Sequence, residues 1–477
     1  MASTDRITVA AKAFVARSLA VLRDRCPAAD DKEIEGFQRW VEDTEHERSI
    51  VRFGDFKTFR LMPDVSGPTT VCAWRELAQM RADGLAEYRE LVDALEDDAI
   101  IGPRLGNDTV GGAGMGGGAC QRETITEALV VKLIEESGGL DPSPEVVEDT
   151  VDAWLAHLRR ESETMIVFAP LADLVVVGSP VQVKDGVVID ELTSDEIAAA
   201  LMLGAETVTE FGYTPGGLAG PPTVDVAPTF AVRTSYTAPV VRGGGTPDQV
   251  NATVAAQQEA IRVVEEVLLS LRLLKPGRVR LRAIVTIKSQ PDGLWPSSRH
   301  PPEPGRRMRG DPYLLTADDS VDLAALYRQL TSSRSSKKVI DAAARRFADA
   351  AGRSRADDEI VDLVIAAESL FLGKGVSGAY PFAARAASFI DGTNRQRRQV
   401  FAFMRDAYRA RNGVVHNGRL DEAKLRGSDG RVASASEFTD ELEGFVRQAL
   451  MKAVTLVASG SRWPPDWDEL LFPDTAE

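Results

Sequence analysis

The segment QPDGLWPSSRHPPEPGRRMRGDP divides this chain of 477 residues. Proline lacks the amide hydrogen that a helix interior or central strand requires, and ordering glycine costs extra backbone entropy, so residues 289–317 are predicted to be a linker or an excursion loop. Beyond it the apolar residues keep helical spacing as far as Ser459, which predicts an all-α bundle over residues 318–460. A fold made only of strands, or of one repeated unit, is therefore excluded.

Ahead of the linker the pattern changes character once. Residues 1–163 read mainly as helix; VCAWRELAQMRADGLAEYRELVDALEDDA has apolar residues at helical spacing with strong helix formers between them. From Met165 short apolar runs bounded by turn residues take over. MIVFAPL and DLVVVG are predicted strands, and VQVKDGVVID is a predicted hairpin turning at Asp185-Gly186. Thr193 and Glu196 have the spacing of a capping box and predict a helix start. PTFAVRTSY is another strand. A long helix is expected to open at Thr246-Pro247 and to end at Pro276-Gly277, with Val250, Val254, Ile261, Val264, Leu268 and Leu271 on its apolar stripe, and RVRLRAIVTI follows as a strand. The expected class is α+β: a helical N-terminal segment (1–163), a mixed α/β middle region (164–288), the linker, the helical bundle, and a tail (461–477) whose two tryptophans dock back on the protein.

Composition narrows the function classes. Hydrophobic residues are 44% and charged residues 27%, ordinary values for a soluble globular chain. No apolar run reaches membrane-spanning length, and Lys12, Arg17 and Arg23 interrupt the apolar N-terminus, so neither a membrane helix nor a signal peptide is expected. Cys26, Cys72 and Cys120 have no metal-ligand spacing and form no even disulfide set, so a cytoplasmic protein with no metal and no cofactor is expected. The glycine-dense GNDTVGGAGMGGGA lacks the Gly-Lys-Ser/Thr ending of a phosphate-binding loop and reads as a flexible loop. A net charge of −16 opposes diffuse nucleic-acid binding, so any such site must be a local basic patch. One lies between Asn394 and Arg431, with ten Lys/Arg against four Asp/Glu.

The helical region carries polar exceptions inside apolar stripes. In DDEIVDLVIAAESLFLG, Glu368 shares a face with Val361, Val364 and Phe371. A carboxylate on such a face needs a cation or donor. Arg411, on the stripe Met404, Tyr408, Arg411, Val415, is one candidate, and Arg385 in PFAARAASFI is a second. The adjoining face of that helix holds Arg405, Arg409, Asn412 and His416, the only histidine of the helical region. Arg411 and His416 are five residues apart, about 140° of rotation and about 7.5 Å of rise, so they do not share a face, although a long arginine and a histidine near the helix end can edge the same groove. Gly418 is the expected helix stop. A histidine that caps this helix beside a buried Glu–Arg pair explains the same residues without catalysis.

Taken in order, AAESLF, AARAA and RNGVVH resemble the Apea-like branch of the HEPN superfamily over roughly residues 318–460. The resemblance implies a bundle of four or five helices that commonly dimerises. Many members of the superfamily are metal-independent RNases of toxin–antitoxin, antiphage or abortive-infection systems, whose signature is Arg-x4–6-His. Here that signature falls on Arg411 and His416, with Asn412 the polar residue after the arginine. Other members lack activity and serve as helical partners.

The resemblance thus implies an endoribonuclease in which His416 moves the proton and Arg411 faces the phosphate as charge builds up. The products would be a 2′,3′-cyclic phosphate and a 5′-hydroxyl. Asn412, Glu368 and Arg385 would support the pair, and Arg405, Arg409 and Asn417 would hold RNA. Homodimerisation through the helical region is expected, the N-terminal region acting as sensor or regulator and answering to a regulatory protein or a phage trigger. The rival expectation is a non-catalytic interaction protein.

Overall fold

Proline at the first helical position and a long apolar stripe make Pro247–Leu274 the longest helix described in the computed structural model. The structure describes residues 3–25, 77, 80, 84–102, 120–178, 180–193, 196, 230–239, 247–277, 279–288, 298–300, 313–373, 375–390 and 393–472. The glycine-dense segment and most of the linker lie outside these residues, as do Cys26 and Cys72. The protein is mixed α/β and mostly helical. It divides into two compact units that interleave in sequence: residues 1–170, 190–263 and 282–302, and residues 171–189, 264–281 and 303–477. No helix among the described residues is long and apolar enough to cross a membrane.

In the first unit, helices α1 (Ser3–Arg25), α2 (Ala86–Glu96), α3 (Cys120–Ser137) and α4 (Pro144–Arg159) share a core that includes Phe14, Leu22, Leu91, Leu129 and Trp154. The helical pattern read across residues 71–99 is interrupted at Gly84, whose φ of +78° no L side chain adopts comfortably. Ser143 caps α4 by accepting from the Val146 amide, and proline follows it. Strand β1 (Ser162–Ala172) pairs antiparallel with β7 (Ile284–Lys288), Met165 opposite Lys288 and Phe168 opposite Val285. Strand β8 (Ser298–His300) extends that ladder. The expected strand PTFAVRTSY is β5 (Phe230–Pro239). The capping box is present: the Thr193 amide donates to Glu196 at 2.9 Å and the Glu196 amide to Thr193 Oγ1 at 3.2 Å. Of the helix expected after it, only Glu196 is described.

In the second unit, β2 (Leu174–Val176) pairs parallel with β9 (Tyr313–Leu315), and β3 (Val181–Lys184) forms the expected hairpin with β4 (Val187–Glu191). Gly186 supplies the positive φ, +72°, that this two-residue turn requires. The stretch RVRLRAIVTI is two strands rather than one: β6 (Arg280–Leu281), which pairs with the end of β1, and β7. The long helix α5 (Pro247–Leu274) inserts Leu269 and Leu273 into the core of the helical region, whereas Val250 and Val254, near its start, are exposed.

That core is assembled by α6 (Ala317–Ser336), α7 (Lys338–Ala351), α8 (Ala356–Phe371), α9 (Ala379–Phe389), α10 (Asn394–Asn417) and α11 (Ala435–Ala458). Helix α8 is central and touches α7, α9, α10 and α11. Three helix starts here carry capping boxes: Thr316 with Asp319, Thr393 with Gln396 and Ser434 with Glu437. The stripe Phe438, Leu442, Ala449, Ala453 of α11 is fully buried, and Phe438 packs on Phe403 with ring centres 4.8 Å apart. The tail does fold back. Trp463 packs on Phe389, and Trp467, at the start of α12 (Trp467–Leu471), packs on Phe371 and Phe389.

Candidate functional site

Helix α10 positions most of the candidate residues. The Thr393 cap starts it, the buried side chains of Val400, Phe403, Met404 and Ala407 fix its rotation, and Gly418 ends it. Gly418 takes φ +69°, and its amide donates to the Val414 carbonyl at 2.8 Å. His416 and Asn417 are thereby left exposed in the last turn.

The carboxylate on the apolar face of α8 finds its cation on α10. Arg411 Nη2 donates to Glu368 Oε2 at 3.3 Å, with the side chains 24% and 19% exposed. Burial pushes the Glu368 carboxyl above its ordinary pKa, and the Arg411 charge partly opposes that rise. Arg411 Nη1 also donates to Asn412 Oδ1 at 2.9 Å, while its Nε is buried without a hydrogen-bond partner among the described residues. Of the two expected partners for Glu368, the structure therefore selects Arg411. Arg385 instead donates from Nη1 to the Phe371 carbonyl at 2.8 Å and lies over the Trp467 ring, 5.2 Å from its centre. It closes the C-terminal end of α8 and clamps the tail.

The basic row is partly neutralised from within. Arg409 Nη1 donates to Asp406 at 3.2 Å, and Arg405 Nε lies 3.8 Å from the same carboxylate. The Arg405 guanidinium also lies over the Phe401 ring. Sequence reading missed this role of Asp406, although its i,i+3 spacing to Arg409 was available. It also missed the buried Asp362, which accepts from Arg346 at 3.1 Å and from Arg353 at 2.6 Å. This ion cluster ties α7 to α8 and lies among structural helices.

Chemically, the arrangement offers an exposed imidazole and, on the adjoining turn of the same helix, a guanidinium engaged through both Nη atoms. Among the described residues, no three His, Cys, Asp or Glu side chains are grouped as a metal ion would require. No family model matches the chain, and no curated protein and no solved structure matches it either.

Proposed function

We propose that this protein is a metal-independent endoribonuclease of the HEPN type, acting in antiphage defence or growth arrest. His416 serves as the general acid or base and Arg411 stabilises the charge that develops on the phosphate. Asn412 orients Arg411, and Glu368 anchors it. Arg405, Arg409 and Asn417 hold the RNA backbone. The N-terminal region senses or restrains, and two copies assemble through the helical region to bring two Arg–His pairs to one cleft.

The observation that carries this reading is the exposure of His416 at the capped end of α10, in the turn after an Arg411 that keeps one guanidinium edge on Glu368. The test is incubation of the full chain with single-stranded RNA in excess EDTA. Wild type is expected to leave 2′,3′-cyclic phosphate ends, and His416→Ala to cut roughly 10²–10⁴-fold more slowly. Equal cleavage by the variant, or cleavage only with added metal, removes this mechanism.

One observation favours a second reading. Arg411 donates to both Glu368 and Asn412, an arrangement that also suits a purely structural arginine in a non-catalytic interaction protein. In that case, wild type and His416→Ala bind the same protein partners and neither cuts RNA.

A further inference from the structure

We propose that Tyr380, seated on Phe401 beside Arg405, is a stacking platform for one unpaired base of single-stranded RNA, on the same face of α10 as His416. This deepens the nuclease reading and rests on it for the identity of the ligand. Tyr380 is the second residue of α9 and is 72% exposed, whereas the other large aromatic rings of α9, Phe382 and Phe389, are buried. Its ring meets Phe401 edge to face, with centres 5.5 Å apart and planes at 73°. The Arg405 guanidinium lies over the same Phe401, 5.8 Å from the ring centre. A ring packed along one edge loses less freedom when a base stacks on it than a ring with no neighbour does.

The surroundings say what would stack. Arg398, Phe401, Arg405, Arg409, Asn412 and His416 follow one another at spacings of three and four, so they line one face of α10. Arg398 is exposed and makes no hydrogen bond or ion pair among the described residues. The rise from Phe401 to His416 is about 22 Å, room for several nucleotides of extended strand. A basic track with an exposed aromatic ring beside it is the combination that binds single-stranded nucleic acid: cations follow the phosphates and the ring takes a base. The chain as a whole, at net charge −16, repels phosphate, so the strand is confined to this basic face.

The test uses the full chain and adenosine-rich 2′-O-methyl RNA oligonucleotides carrying 2-aminopurine at successive positions, which an attack by the 2′-hydroxyl cannot consume. Wild type is expected to bind and to quench one position by stacking. Tyr380→Ala should weaken binding at least about fivefold and abolish that quench, while Tyr380→Phe keeps both. Tyr380→Phe keeps the edge contact with Phe401 and should melt with wild type, and Tyr380→Ala, which loses only that contact, should melt within a few degrees of it. Binding by Tyr380→Ala within about twofold of wild type overturns the platform, given what one stacked base is worth. So does a change in self-association with RNA affinity intact, which would assign the ring to a second copy of the chain. The measurement is independent of cleavage. A protein that stacks RNA on Tyr380 and cuts nothing loses only the nuclease reading; one that cuts in EDTA with Tyr380→Ala binding normally loses only the platform.

Discussion

Arg411 and Glu368 form an ion pair of 3.3 Å between α10 and α8, in a setting where burial and attraction pull the carboxyl in opposite directions. Burial is the larger effect, so the folded protein holds the Glu368 proton more tightly than the unfolded chain does.

A carboxyl whose folded pKa is raised contributes stability below the unfolded value, about 4.3, and that contribution is lost as pH rises through the folded pKa. Glu368→Gln removes this titration. Wild type is therefore expected to gain stability relative to Glu368→Gln as the pH falls from 7 to about 4. Urea denaturation of both proteins across that range checks it; a gap that widens against wild type on acidification contradicts the assignment.

Gly418 holds the end of the helix that carries His416. Its φ of +69° is strained for any residue with a Cβ, although open space surrounds the position where that Cβ would sit. Gly418→Ala is expected to cost about 1 kcal/mol, and Gly418→Asn less, because asparagine tolerates the left-handed region. Chemical denaturation measures the cost. If cleavage needs a rigid last turn, Gly418→Ala also slows it more than Gly418→Asn does.

In the first unit, Glu196 is buried and receives Arg233 through two nitrogens, at 2.6 and 2.7 Å, as well as the Thr193 amide. The hydrogen bond to Glu196, opposed by burial, raises the Arg233 pKa. Glu196→Ala removes the fork under Arg233, leaving it Asp190 at 3.4 Å and the Glu191 carbonyl at 3.0 Å, and removes one of the two hydrogen bonds of the capping box. It is expected to destabilise the unit by about 3 kcal/mol, and Arg233→Lys to destabilise it by less, because a lysine keeps the charge but loses the fork. Hydrogen exchange of the β5 amides reads the loss in that unit alone.

The sequence by itself determined the local order. Capping boxes at Thr193, Thr393 and Ser434, the turn at Asp185-Gly186 and the stop at Gly418 are all written in neighbouring residues, because their hydrogen bonds span three or four positions. The same short range makes an apolar stripe visible, and with it the misfit of Glu368 on α8. Which arginine answers that carboxylate was not legible. Arg385 and Arg411 stand 17 and 43 positions away, and only the packing of α9 and α10 on α8 assigns Arg411 to Glu368 and Arg385 to the Phe371 carbonyl. The seat of Tyr380 on Phe401 is of the same kind. Periodicity ranks positions within one helix, but a contact between helices depends on how their faces meet, and that is decided by the shape of the whole core.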